Sequence, residues 1–162
     1  MSFYTIEVLI DEPFQAQVAP DILRRAALAT VIQQQEERSN REQCELTLAI
    51  TSDDALRDLN RRFVGLDAPT DVLAFPDDTR GPFAALPGVP RYLGDVIISF
   101  PRAEAQAAAA GHTVEAELQL LIIHGVLHLL GHDDMEPEPR GAMWAAQATI
   151  LHALGVQVNL PD

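Results

Sequence analysis

Three histidines and two aspartates lie within the eleven-residue stretch HGVLHLLGHDD, residues 124–134. On a helix, the four-residue spacing of His124 and His128 puts both side chains on one face, about 6 Å apart along the axis. Both imidazoles could then bind one metal ion at about 2.1 Å, the distance typical of zinc. Alternatively, both are core histidines that hydrogen-bond to carbonyl groups. Because burial of two uncompensated imidazoles is costly, we favour the metal site.

A catalytic zinc needs a third protein ligand and an open coordination position. Gly131 indicates how that ligand could arrive. In a left-handed conformation it would end the helix and turn the chain back towards the two imidazoles. From the residues alone, the third ligand could be His132, Asp133 or Asp134.

The residue after His124 separates two kinds of metal hydrolase. In the peptidase pattern H-E-x-x-H this position is the glutamate general base, and here it is Gly125. A conventional peptidase mechanism therefore lacks its base. A bound metal would still lower the pKa of a water molecule and polarise a phosphoryl oxygen, so metal-assisted hydrolysis remains the predicted class of reaction.

The rest of the chain must supply the elements that position this segment. Apolar and alternating runs predict four strands, over residues 4–10, 44–50, 71–75 and 92–100. Helical spacing and capping residues predict five helices, with starts near Pro20, Ser52, Pro101, Thr113 and Pro139. The order βαβαββααα predicts an α+β fold, a small mixed sheet of about four strands packed with about five helices. We expect residues 1–162 to form a single metal-dependent hydrolase domain.

The sequence patterns also predict which parts of these elements are buried and which lie at the surface. No charged residue occurs from Leu118 to Leu130, so the helix that carries the histidines is expected to be enclosed by the domain. The second helix should bury a stripe formed by Leu56, Leu59 and Phe63. The proline- and glycine-rich residues 76–91 are expected to form a surface loop.

Composition limits the partners and the compartment. The net charge of −13 argues against a sequence-indifferent nucleic-acid coat, although a local cation can attract RNA within a Debye length of about 8 Å. Cys44 is the one cysteine and is expected in the core. Neither a signal-peptide pattern nor a membrane-spanning run is found, so we expect a cytoplasmic protein without a membrane partner.

Two blocks, LNRRFVGLDAPTDVLAFP (59–76) and residues 93–134 beginning LGDVIISF, resemble the YbeY family of metal-dependent endoribonucleases that mature ribosomal RNA. The resemblance implies an α+β fold distantly similar to zinc peptidases and one zinc ion per chain. It also implies a role in 16S rRNA maturation and ribosome quality control. The expected partners are rRNA precursors and ribosomal subunit components, and not DNA.

The family pattern H-G-x-L-H-L-x-G-x-D-H assigns zinc binding to its first, second and last histidines. His124 and His128 match the first two positions. The last falls on Asp134, whose carboxylate can bind zinc at about 2.0–2.2 Å, and this ranks Asp134 above His132 as the third ligand. No side chain is a firm general base, and Asp133 is the candidate catalytic residue.

The family sequence Y-R-G-K-D corresponds to Phe63-Val64-Gly65-Leu66-Asp67. The two basic residues that the resemblance assigns to RNA phosphates are therefore apolar here. Arg61 and Arg62 are the candidate substrate-binding residues that could replace them. Asn60, Thr70 and Asp71 also match the family. We interpret them as residues that end a helix and form the turn before the third strand.

The leading hypothesis is a zinc-dependent endoribonuclease of single-stranded RNA, with the metal on His124, His128 and Asp134. One alternative is a ribosome-assembly binding protein with a structural metal, in which the missing basic pair reflects lost catalysis. The other is a metallopeptidase, which Gly125 disfavours.

Overall fold

The computed structural model describes residues 3–77 and 88–160, and most of the predicted loop at 76–91 lies outside these ranges. The described residues contain four strands, β1 (Tyr4–Ile10), β2 (Cys44–Thr51), β3 (Val72–Pro76) and β4 (Arg91–Ser99). They form one sheet in the order β1-β2-β4-β3. Strand β2 is parallel to both β1 and β4, and β3 is antiparallel to β4.

The same residues contain five α-helices, α1 (Pro20–Glu37), α2 (Asp53–Leu59), α3 (Phe100–Ala110), α4 (Val114–Leu129) and α5 (Pro137–Leu154). The predicted α+β class, with four strands in a mixed sheet and five helices, is confirmed. The N-caps follow the sequence signals, because Ser52 and Thr113 accept hydrogen bonds from the backbone N–H groups three residues later. None of the helices described is long and apolar enough to cross a membrane.

The core lies between one face of the sheet and the helices. Alternate residues of β2 from Cys44 to Ile50 are buried, and they belong to one apolar cluster with α1 and α4. Helix α4 is buried on most of its surface, as its uncharged sequence predicts. Burial raises the pKa of the Cys44 thiol to about 12, and Glu42 and Glu45 add to the shift, so this cysteine is an unreactive core residue.

The predicted burial of Phe63 is wrong. Helix α2 ends at Leu59, and the chain continues as a π-helical turn over Asn60–Val64. The wider turn takes Phe63 off the face that buries Leu56, because 3.6-residue periodicity no longer holds there. The Phe63 ring is 66% exposed and contacts the edge of Phe75, with ring centroids 5.7 Å apart.

A buried polar pair supports the turn that precedes α4. The Nδ1 atom of His112 accepts a hydrogen bond from the backbone N–H of Asn159, at 2.9 Å. The other ring nitrogen, Nε2, therefore carries the proton and donates it to Glu117 Oε2 at 2.6 Å. The His112 and Glu117 side chains are only 5% and 7% exposed. This pair joins the C-terminal segment to the start of α4.

Gly125 lies where α4 crosses the sheet. A Cβ atom at this position would be 2.5 Å from Cγ1 of Val96 in β4. Position 125 therefore faces the sheet at a contact that excludes any larger side chain. A glutamate could not stand here without moving the helix, which gives a structural reason for the absence of the peptidase general base.

We expect Gly125→Ala to destabilise the fold by about 1–3 kcal/mol, because the added methyl group overpacks Val96. The matched control is Gly141→Ala in α5, where a Cβ would meet no atom of the described residues within 4 Å outside its own helix backbone and neighbours. It should stabilise the fold by about 0.5–1 kcal/mol through helix propensity. Urea unfolding measures both changes, and equal effects of the two substitutions would contradict the close contact at Gly125.

Candidate metal centre

Three side chains converge where α4 ends. The Nε2 atoms of His124 and His128 are 3.1 Å apart. A carboxylate oxygen of Asp134, Oδ2, lies 3.6 Å from the first and 3.7 Å from the second. All three residues are partly buried, and they are the one group among the described residues whose spacing could hold a metal ion.

The outer ring nitrogens fix the orientation of both imidazoles. His128 Nδ1 lies 3.1 Å from the backbone carbonyl oxygen of His132, which can only accept, so this nitrogen is the donor. His124 Nδ1 likewise donates to the amide oxygen of Gln147 at 2.8 Å. In the neutral rings both Nε2 atoms are then lone-pair acceptors that face a carboxylate oxygen. Three acceptors this close together need a cation or a proton between them.

Burial lowers the pKa of His124 below its ordinary value, and the positive charge of a protonated His128 would lower it further. The hydrogen bond to Gln147 and the charge of Asp134 act in the opposite direction. The ring therefore favours its neutral form, which is the form that binds metals.

The predicted glycine turn is present. Gly131 has a φ of +98°, in the left-handed region. The backbone N–H of His132 donates a hydrogen bond to the carbonyl of Leu127 at 3.0 Å, which caps the end of the helix. After this turn, Asp134 returns to the imidazoles. The His132 side chain points to a different partner, because its Nε2 atom lies 2.7 Å from the amide oxygen of Gln34 in α1.

Asp133, the candidate catalytic residue, lies on the exposed side of the same turn. Its Oδ1 atom accepts a hydrogen bond from the backbone N–H of Met135 at 2.9 Å. It is outside the group formed by the three converging side chains. Its role as general base stays a prediction.

Helix α5 supplies three side chains that the sequence analysis missed. Arg140, Trp144 and Gln147 recur at helical spacing and lie on one face of α5. Arg140 Nε donates to the backbone carbonyl of Asp134 at 2.9 Å, which holds the metal-binding turn. The rings of Trp144 and His124 meet edge to face, 6.1 Å apart. Their helical spacing is visible in the sequence beside the apolar stripe of α5. The sequence does not show that α5 packs on α4, so these three residues could not be placed at the site.

A cleft of about 440 Å³ opens beside His124, between α4, α5 and the start of β3. Apolar side chains such as Leu120 and Leu121 form part of its wall, together with Trp144. The cleft also contains two carboxylates, from Asp71 and Glu117. It is large enough to hold part of a small organic substrate next to the three converging side chains.

The candidate RNA-contacting arginines are exposed but already paired. Arg61 and Arg62 form ion pairs with Asp58, at 2.6 Å and 3.4 Å. Exposed pairs of this kind are weak and leave the guanidinium groups free to exchange partners. Neither arginine lines the cleft beside His124, and their contact with RNA stays a prediction.

Three further residues that match the family, Asn60, Thr70 and Asp71, bond to the backbone. Asn60 is buried and donates from Nδ2 to the carbonyl of Ala68 at 3.0 Å. Thr70 and Asp71 hydrogen-bond to the backbone of Val72. These contacts agree with the interpretation as turn chemistry, although Asp71 also lines the cleft.

A mixed sheet covered by helices carries a histidine pair and a carboxylate at the end of a buried helix, and these side chains form a candidate metal centre. The family model described as Endoribonuclease YbeY matches residues 12–155. The chain belongs to the YbeY family of endoribonucleases.

Relatives named Endoribonuclease YbeY cover almost the whole chain. The proteins of Chloroflexus aggregans and Chloroflexus aurantiacus are 43% and 45% identical over 155 residues, which is 94% of this chain and 97% of theirs. The protein of Roseiflexus sp. is 40% identical over 154 residues, 94% of each chain. A solution structure from Thermotoga maritima is similar in fold, with a TM-score of 0.54, 21% identity, and coverage of 93% of this chain and 92% of that one.

Proposed function

We propose that this protein is a zinc-dependent endoribonuclease that cleaves single-stranded RNA, and that its substrates are precursors of 16S ribosomal RNA. Ribosomal subunit components are the proposed partners, ribosome quality control is the proposed wider role, and the cytoplasm is the proposed location. The nuclease class follows from the family. The proposed metal rests on the site described above, and the proposed RNA substrate rests on the family.

The observation that carries the proposal is the convergence of two imidazole nitrogens and one carboxylate oxygen. Ligand atoms about 2.1 Å from a tetrahedral zinc ion are about 3.4 Å apart. The three distances here are 3.1, 3.6 and 3.7 Å, so the donor set fits an ion of this size. Nitrogen and carboxylate ligands also suit zinc better than magnesium or calcium.

When bound there, zinc would lower the pKa of a water molecule and polarise a phosphoryl oxygen. The chain's own residues orient this site. Gln147 and the His132 carbonyl hold the two imidazoles, and Arg140 holds the backbone of Asp134. Asp133, on the exposed side of the turn, is the candidate for accepting a proton from the attacking water.

The proposal is tested with protein stripped of metal and then reconstituted with zinc. We expect the zinc-loaded protein to cleave single-stranded RNA and the stripped protein to be inactive, with neither form cleaving casein. A protein that binds RNA equally with and without zinc but never cleaves it would instead be an assembly factor with a structural metal. Cleavage of casein would identify a peptidase and overturn the assignment.

We expect Val64→Arg to strengthen the binding of single-stranded RNA. Val64 stands where the family has a basic residue, and it is 53% exposed, so the longer side chain removes nothing from the core. One added phosphate contact should steepen the dependence of log affinity on log salt by about 0.7. Fluorescence anisotropy of labelled RNA at several salt concentrations measures both quantities, and a melting curve checks the fold.

The control is Leu9→Arg, which adds the same charge on β1, at the opposite edge of the sheet from β3. Leu9 is 52% exposed, which matches Val64 closely. We expect Leu9→Arg to leave the salt slope unchanged. If both variants gain affinity alike, the gain comes from net charge and RNA does not contact the residue at position 64.

A further inference from the structure

We propose that the cleft beside His124 is a nucleobase-binding subsite, in which the indole ring of Trp144 stacks on a base of the RNA substrate. This inference rests on the proposed RNA cleavage, because it assigns the recognition of one nucleotide to the same site. The subsite is formed between α4 and α5, and the candidate arginines of the π-helical turn do not line it.

The exposure and position of Trp144 point to a ligand. It is 45% exposed, although a large aromatic ring is normally among the more buried side chains. It lines the cleft and meets the His124 ring edge to face. Stacking on aromatic side chains is the usual way in which proteins bind the bases of single-stranded RNA.

The charge of the cleft favours a base over a phosphate. Two of the described lining residues, Asp71 and Glu117, are acidic, and Arg140 is the one arginine or lysine among them. The Nε group of Arg140 is engaged by the backbone carbonyl of Asp134. Arg140 keeps its positive charge, so the described lining residues carry two negative charges and one positive charge, which disfavours a phosphate. A neutral ring would instead meet apolar walls and the Asp71 carboxylate.

The position of the cleft fits the geometry of one nucleotide. His124 belongs both to the converging group and to the cleft wall, so the two sites are contiguous. A phosphodiester held at the converging side chains would carry its neighbouring base beside them. The cleft of about 440 Å³ is of the size that small-molecule sites have in proteins.

The chain offers a direct spectroscopic test, because Trp144 is its single tryptophan. All indole fluorescence therefore reports on this position. We expect titration of the zinc-loaded protein with hexa-adenylate to change the emission. An abasic hexamer with the same backbone charge should bind more weakly and leave the emission unchanged. Absence of hexa-adenylate binding, or binding measured by anisotropy without any change in emission, would overturn the proposal.

Substitutions test the same subsite through cleavage kinetics. We expect Trp144→Ala to raise the KM for single-stranded RNA by about 5- to 10-fold, the lower part of the range for loss of a stacked base, with kcat nearly unchanged. Trp144→Phe keeps an aromatic ring and should have a smaller effect. Phe3→Ala removes another exposed ring, on the far edge of the sheet, and should leave KM unchanged.

The outcomes separate this proposal from the proposed function. Cleavage of RNA with the same KM in wild-type protein and Trp144→Ala would leave the nuclease assignment standing and remove the subsite. A change of emission with hexa-adenylate but without any zinc-dependent cleavage would keep the subsite and overturn the proposed zinc-dependent cleavage.

Discussion

Replacement of His128 or Asp134 by alanine is expected to weaken zinc binding by at least about 100-fold, more than the loss of an outer-sphere partner costs. Both residues belong to the converging group. Each substitution should also abolish zinc-dependent cleavage of RNA. Metal content after dialysis, measured by elemental analysis, gives the stoichiometry, which should be one zinc per wild-type chain and close to zero for both variants.

The control is His132→Ala, which removes the other candidate ligand. Its imidazole contacts Gln34 at 2.7 Å, and its contribution to the site is a backbone carbonyl that alanine retains. We therefore expect His132→Ala to keep its zinc. Loss of zinc in His132→Ala together with retention in Asp134→Ala would mean that the turn after Gly131 brings a different residue to the metal.

Loss of the buried partner of Glu117 should produce a large change in stability outside the metal site. We expect His112→Ala to lower the free energy of unfolding by about 2–3 kcal/mol, because the Glu117 carboxylate would stay buried without its donor. The backbone N–H of Asn159 would also lose its acceptor. Urea unfolding at pH 8 measures the change.

Two further variants show whether the pair itself is responsible. The double variant His112→Ala with Glu117→Gln removes the stranded charge and should recover part of the loss. His152→Ala removes an exposed histidine near the end of α5 and should change stability by less than about 0.5 kcal/mol. If the double variant is as unstable as the sum of its single changes, the two side chains do not interact.

The sequence carried enough information for the elements and for the core of the site because both depend on local patterns. The strands and helices followed from alternation, helical spacing and capping residues such as Ser52 and Thr113. One helical turn and one glycine turn predicted that His124 and His128 would meet a ligand from residues 132–134, and the resemblance to the family selected Asp134. The assignment of zinc to this group remains a prediction.

What sequence reasoning missed depends on contacts between distant segments. The contact that turns His132 away from the site joins residues that are 98 positions apart. Gln147 and Trp144 reach His124 only because α5 packs across α4. Phe63 was misplaced for a different reason, since a π-helical turn changes the periodicity on which the buried stripe was predicted.

The three converging side chains all come from a segment of eleven residues, His124 to Asp134. When these three side chains meet, the chain loses only the conformational entropy of closing one short loop. This entropy cost increases with the length of the loop, although slowly. The contact between His132 and Gln34 of α1, in contrast, closes a loop of nearly a hundred residues. Contacts of low sequence separation form early in folding. The donor group can thus assemble together with its helix, before the N-terminal half of the protein has docked.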